Sequence, residues 1–287
     1  MVDDTETGRQ TEVLRGLLFL ACPDAPSAAL DATADAIARR SAAHPLPTQS
    51  VPSAAQLAST RPPDDAPRML DGAHLAYAKL TAADLAHARL RGARLTRARL
   101  AHALLSFADL TGAELQGADL THADLSHARL VDADLAKADL GGAFLESACL
   151  TGADLIEAGL RSAVLTGAQL RGARLSHAWL LGAELAGADL TSAFLDAAWL
   201  NGTNLHGADL TGAVLSRAQL NGAILTDADL SGTTLLTLAP DILWNLQTRW
   251  PPGLLAAARA QSDEIGPGLY RVRGGTTRGR TDTPALA

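Results

Sequence analysis

Aromatic residues are scarce in this sequence: four Trp, two Tyr and four Phe make up 3% of 287 residues, although 47% of the chain is apolar. Large rings dominate the burial in ordinary cores, so a chain this poor in them argues for regular stacking of small aliphatic groups instead. Cysteine is almost absent. Cys22 and Cys149 have no metal-ligand spacing, which argues against a disulfide framework or a zinc site and fits a reducing compartment. Positive charge is in deficit, the net charge being −7, whereas neutralising phosphates needs a basic surface; no direct nucleic-acid partner is expected. Long apolar runs are missing too. The longest, Val13 to Cys22, is interrupted by Arg15 and falls well short of the ~20 residues of a membrane span. It lacks a basic leader, so neither membrane nor signal peptide is expected, and the expected location is cytoplasmic.

Two short helical patterns open the chain. Val13, Leu14, Leu17 and Leu18 share helical spacing, as do Leu30, Ala34 and Ile37, with Ser27 placed to cap the second. Residues 1–44 therefore read as a helical N-terminal segment. The six prolines between Pro45 and Pro67, among Ser, Thr and Asp, make residues 45–68 a linker, with one helical turn expected over Ser53 to Ser59.

From there a single period rules. Counting by fives from Leu70 to Leu235, every position is leucine, and the residue two before each, from Ala73 on, is alanine except Thr203 and Thr233. An α-helix turns about 100° per residue, so a five-residue step of roughly 140° between net positions would smear the leucines around its circumference. In a straight strand, positions five apart point to opposite faces. Each pentad must then contain a bend that returns its leucine to the same side, and a chain of identical bends winds into a β-solenoid with leucines inside.

Units such as Ala118-Asp119-Leu120-Thr121 and Ala188-Asp189-Leu190-Thr191 resemble the pentapeptide-repeat family, whose unit is Ala-(Asp/Asn)-Leu-x-x. The resemblance implies an all-β solenoid, the right-handed quadrilateral β-helix, with four pentads per coil. About eight coils at ~4.8 Å each would give a rod on the order of 40 Å long. A period of 20 has one internal sign: sampling every twentieth residue from Gly72 to Gly232 gives glycine except at Asp132 and Ser192. The repeat is bounded at residues 69–238.

Solenoid ends need covering. Residues 239–265 read as a helical C-terminal cap, in which Asp241 to Gln247, with Ile242, Leu243, Trp244 and Leu246, forms a helix across the last coil or a dimer contact, followed by a second helix from Leu254 to Ala260. Residues 266–287 read as a short strand, Leu269 to Arg273, and a tail of disordered composition.

No motif of catalysis or cofactor binding is present, so no catalytic, cofactor or metal residues are expected and the chain reads as a non-enzyme. His102 and His122, 20 apart, are expected to stack; no carboxylate or cysteine completes a ligand set around them. Charge is banded: residues 79–99 carry six basic and one acidic side chain, residues 101–160 ten acidic and two basic, and residues 181–235 six acidic and one basic. The candidate interaction surface combines Trp179, Trp199 and Phe194 with the acidic residues Asp109, Glu114, Asp119, Asp124, Asp134, Asp139 and Asp154. The leading expectation is a non-catalytic scaffold for a protein partner. The family resemblance supplies an alternative, a duplex-DNA mimic that binds the type II topoisomerases DNA gyrase or topoisomerase IV and protects against quinolones or endogenous toxins, and with it a homodimer through the C-terminal segment. Leucine at every central position departs from the Phe that gyrase-binding members often carry there.

Overall fold

A computed structural model describes residues 67–235 and 237–274. The helical segment expected at 1–44, the linker up to residue 66 and the tail beyond residue 274 lie outside the described residues.

Every regular pentad has the same local anatomy. After each leucine the chain turns, the third residue of the turn takes a left-handed φ (Gly72 at 66°, His102 at 58°, Asp132 at 53°), and the following alanine donates its N–H to the leucine carbonyl, as Ala73 does to Leu70 at 3.0 Å. A positive φ at that position of a four-residue turn is the signature of type II geometry and explains why glycine recurs there. The next residue points outward and bridges in parallel to the residue 20 further on: Met69 to Arg89, His74 to Arg94, Lys79 to Arg99, Asp84 to Leu104. Four such columns make four walls. The first runs from Met69 through Asp109, Cys149 and Asp189 to Arg249; the second carries His74, Glu114, Arg174 and Phe194; the third carries Lys79, Asp119, Trp179 and Trp199; the fourth carries Asp84, Phe144, Glu184 and Ile224. The 20-residue coil is thus a direct feature of the pairing.

The backbone is knit coil to coil. Leu70 N–H donates to Arg89 at 2.7 Å, Gly72 to Arg91 at 2.8 Å and Arg89 to Arg68 at 2.8 Å, a pattern repeated along the rod. Three donors per pentad are satisfied by neighbouring coils and one by its own turn. The fifth belongs to the residue after leucine, and the aspartate before the leucine supplies its acceptor: Asp109 Oδ1 takes the Thr111 N–H at 3.1 Å, Asp124 that of Ser126 at 3.0 Å and Asp154 that of Ile156 at 3.0 Å. Asp or Asn before Leu is therefore the side chain that completes the backbone's hydrogen bonding.

Inside, the leucines and alanines from Ala78 to Leu215 are nearly all fully buried. Thr203 substitutes for Ala without a stranded hydroxyl, because its Oγ1 donates to the Leu180 carbonyl at 2.8 Å. Thr233 Oγ1 has no partner among the described residues, and there the regular pattern ends.

The C-terminal segment departs from expectation. Asp241 to Gln247 is not a helix across the last coil; it is part of the last coil. Leu243 bridges Ile224, accepts from the Leu225 N–H at 2.7 Å and forms strand β1 (Leu243–Asn245), while Arg249 bridges Asp229. Ile242 and Trp244 are fully buried in the places that Ala and Leu hold elsewhere, Trp250 and Thr248 fill the next pair, and Leu246 is exposed at the turn between them. Alternation of Ile242 and Trp244 inward about an outward Leu243 is a strand pattern, and the parallel ladder offered by the preceding coil outweighs the helical propensity of the run.

The chain then forms the short helix α1 (Leu254–Ala260) and strands β2 (Ser262–Gly266) and β3 (Leu269–Val272). Both the Leu254 helix and the strand from Leu269 match their expected places. The strands order β1-β3-β2, all antiparallel, with Trp244 opposite Tyr270. β3 covers the edge of the last coil on the fourth wall and α1 adds the fully buried Ala258 and the partly buried Leu254 to the core, so the cap works by strand addition together with this short helix rather than by a helix over Asp241 to Gln247.

Candidate functional site

Trp179 and Trp199 stand one coil apart on the third wall, bridged in parallel. Their rings stack with centroids 5.7 Å apart and planes 22° from parallel, so the planes lie across the rod axis and the ring edges face solvent. The Arg161 guanidinium lies over the Trp179 ring at 4.5 Å from its centroid. Trp179 is 41% exposed and Phe194, on the adjoining second wall, 48%. Phe194 and Trp199 are successive outward positions of one coil, separated at the corner by the half-buried Asp196 and Ala197, and with Trp179 they make up an aromatic ledge across two walls. The repeat makes this placement inevitable: an outward residue before Leu cannot reach the core, so bulk at 179, 194 and 199 must cover the surface or a partner. The 20-residue spacing signalled the tryptophan stack; Arg161 gave no sequence signal, because it stands at a turn position of the coil beneath.

The acidic candidates are not gathered on one face. Asp109 lies on the first wall, Glu114, Asp134 and Asp154 on the second, Asp119 and Asp139 on the third and Asp124 on the fourth. All except Glu114 spend one oxygen on the backbone N–H two residues on, at 3.0–3.2 Å. Several also pair with arginine: Asp109 with Arg91 at 3.2 Å, Glu114 with Arg94 at 3.6 Å and Asp154 with Arg174 at 2.7 Å. Asp134 accepts in addition from Gln116. Burial pushes the Asp109 carboxyl upward, but the Thr111 hydroxyl and N–H and the charges of Arg91 and Arg129 outweigh it and hold its pKa below the ordinary carboxylate value. Asp229 is held down in the same way against its burial, by Ser231 and Arg249. These carboxylates serve the solenoid first and offer at most one free oxygen each to a partner.

His102 and His122 do stack, at 5.2 Å, and His87, Phe107 and His127 form a second pile at 5.1 and 4.7 Å. The His122 ring lies where a Cβ on Gly142 would be, only 2.6 Å from it. The imidazole thus packs on the next coil. No group of His, Cys, Asp and Glu suited to a metal occurs among the described residues.

At the C-terminus, Trp244 is fully buried, stacks on Tyr270 at 4.6 Å, meets Trp250 edge-on at 5.8 Å and donates from Nε1 to Ser262 Oγ at 2.9 Å. Ile242 is buried with it. Neither is free to form a dimer contact, whereas Leu246 is 58% exposed.

Parallel bridges every 20 residues, a leucine core and a regular outward column on each wall define a β-helical repeat protein with an aromatic ledge on two of its walls. The pentapeptide-repeat family model matches residues 70 to 235, more than half of the chain, and the chain belongs to that family. Family membership implies the right-handed quadrilateral form of the β-helix. Among solved structures, the chain is 41% identical to HetL, a pentapeptide repeat protein involved in heterocyst differentiation regulation in the cyanobacterium Nostoc sp. strain PCC 7120, over 58% of this chain and 78% of HetL, with a TM-score of 0.35. It is 34% identical to a pentapeptide repeat protein of the Arabidopsis thaliana thylakoid lumen over 34% of this chain and 68% of the other, with a TM-score of 0.34. Similarity to QnrB1, a plasmid-mediated fluoroquinolone resistance protein, is 23% over 58% of this chain and 91% of that one, with a TM-score of 0.28. No match was found among curated proteins. Pentapeptide-repeat proteins are generally non-catalytic scaffolds.

Proposed function

We propose that the protein is a non-catalytic interaction scaffold, a rigid rod that docks a protein partner in the cytoplasm on the ledge formed by Trp179, Trp199 and Phe194. The observation that carries this reading is the pair of indoles held edge-outward on a fixed wall, where their exposure serves neither core nor cap. A wall stiffened by hydrogen bonds on both sides presents its side chains with little ordering cost on binding, which favours aromatic anchors. The test is affinity capture from the native host with wild-type chain and with Trp179→Ser/Trp199→Ser. Partners retained by the first and lost by the second, at unchanged thermal stability, support the reading; capture indifferent to the double substitution overturns it.

The second reading, a duplex-DNA mimic directed at a type II topoisomerase, keeps one observation in its favour: Glu114, Asp134 and Asp154 stand on consecutive coils of one wall. Arg94 and Arg174 bracket that run and pair with its ends, and the remaining acids are distributed over the other walls, so the run is short for a mimic of the phosphate backbone. A gyrase supercoiling assay decides: inhibition or drug protection at micromolar protein would promote this reading over the first.

A further inference from the structure

Charge around the ledge differs from what chain order suggests. Residues 181–235 are predominantly acidic in sequence, yet folding by twenties sorts those charges by wall. From Asp154 to Gln219, the second and third walls and the corners flanking them carry Arg161, Arg171, Arg174 and Arg217, all exposed, against Asp154, Glu157 and Asp196. Over the same coils the fourth and first walls carry Glu184, Asp189 and Asp209 and no Lys or Arg. Asp154 is committed to Arg174 at 2.7 Å, Glu157 to Lys137 at 3.7 Å and Asp196 to Arg217, whereas Arg161 and Arg171 make no ion pair among the described residues. In a chain of net charge −7, the charge left without an ion pair on the aromatic side of this half of the rod is therefore cationic, Arg161 and Arg171.

We propose that this side docks an acidic, apolar segment of a partner protein, one that brings aliphatic or aromatic side chains against the edges of Trp179, Trp199 and Phe194 and carboxylates to Arg161 and Arg171. The proposal rests on the docking reading above and deepens it. Three other occupants fit less well. Single-stranded nucleic acid binds aromatic platforms through open ring faces, but one face of Trp179 meets Trp199 and the other meets the Arg161 guanidinium. A second copy placed on this ledge by a two-fold axis would set the same arginines against each other. A basic segment would meet that same cluster of like charge.

The experiment uses the full chain as bait for a displayed library of random peptides, selected in parallel on Trp179→Ser/Trp199→Ser. Peptides kept by the wild type and lost by the double variant are expected to combine Asp or Glu with Leu, Phe or Trp. A synthetic copy should bind about tenfold more weakly to Arg161→Gln/Arg171→Gln and weaken further as salt is raised. Tryptophan-dependent peptides that are neutral or basic would overturn the acidic-partner inference and leave the docking surface standing. A library yielding no tryptophan-dependent peptide would count against both. Tryptophan-dependent binding of labelled oligothymidine, tighter than any peptide, would overturn the proposal in favour of a nucleic acid, and tryptophan-dependent self-association in sedimentation would do so in favour of a second copy.

Discussion

At the scale of single residues, the repeat is held by a division of labour between the core side chains and the polar groups that finish the backbone. Asp124 illustrates the second: its Oδ1 accepts the Ser126 N–H at 3.0 Å, a bond that asparagine can also make and alanine cannot. Asp124→Asn should therefore leave stability nearly unchanged, while Asp124→Ala should cost about 0.5–1.5 kcal/mol in urea unfolding. The same carboxylates fix the response to acid. Asp109 and Asp229 have folded-state pKa values below their ordinary value, so their contribution is present above about pH 4 and is lost as pH falls through the folded-state values. The melting temperature should accordingly decline on acidification, and less so in Asp109→Asn/Asp229→Asn. Corner residues are a third class. Gly142→Ala should destabilise the rod, because the new methyl would meet the His122 ring in a backbone of φ 62°, and His122→Ala in the same chain should restore part of the loss. The leucine and alanine positions were legible in the sequence, since their period admits no other inside. The Asp contribution was not, because the consensus shows that Asp precedes Leu but not which N–H is left over until the ladder accounts for the others.

At the scale of elements, the C-terminal end of the rod shows where local reading falls short. The run Ile242-Leu243-Trp244-Asn245-Leu246 has the composition of an apolar helix, and nothing in its own residues marks it as strand. The deciding partner is Ile224 on the preceding coil, whose edge receives Leu243, and then β3, which pairs with the other side of β1. The helix at Leu254 and the strand at Leu269 were readable because Pro251, Pro252 and Gly253 set the first apart and a glycine turn introduces the second. Burial of Trp244 makes this cap sensitive to its one polar contact. Ser262→Ala should strand the indole N–H and cost about 1–3 kcal/mol, seen as earlier loss of protection from hydrogen exchange in residues 241–250 than in the central coils. β2, the outermost strand of the sheet, carries exposed Asp263 and Glu264 and a register shift before Gly266, features that blunt an edge against further pairing.

At the scale of the whole molecule, the core and the surface answer to different constraints. Inside, every coil repeats the same packing: Leu140→Ala, at a fully buried position, should cost about 2–5 kcal/mol through the cavity it leaves. Outside, the walls are free to differ, and they do. Reading charge along the chain gave an acidic middle and an acidic C-terminal half, whereas reading it around the coil separates an aromatic side, whose arginines Arg161 and Arg171 make no ion pair among the described residues, from an acidic one. That distinction depends on the 20-residue period, which links residues that the sequence separates. Docking of partners on the aromatic side is open to a direct test by photo-crosslinking in the native host. A photoreactive residue is placed in turn at Gln219, above Trp199 on the third wall, and at Asp209 on the first. A partner should cross-link from position 219 and disappear in Trp179→Ser/Trp199→Ser; capture from position 209 and not from 219 would place docking on the opposite side of the rod and overturn the aromatic surface.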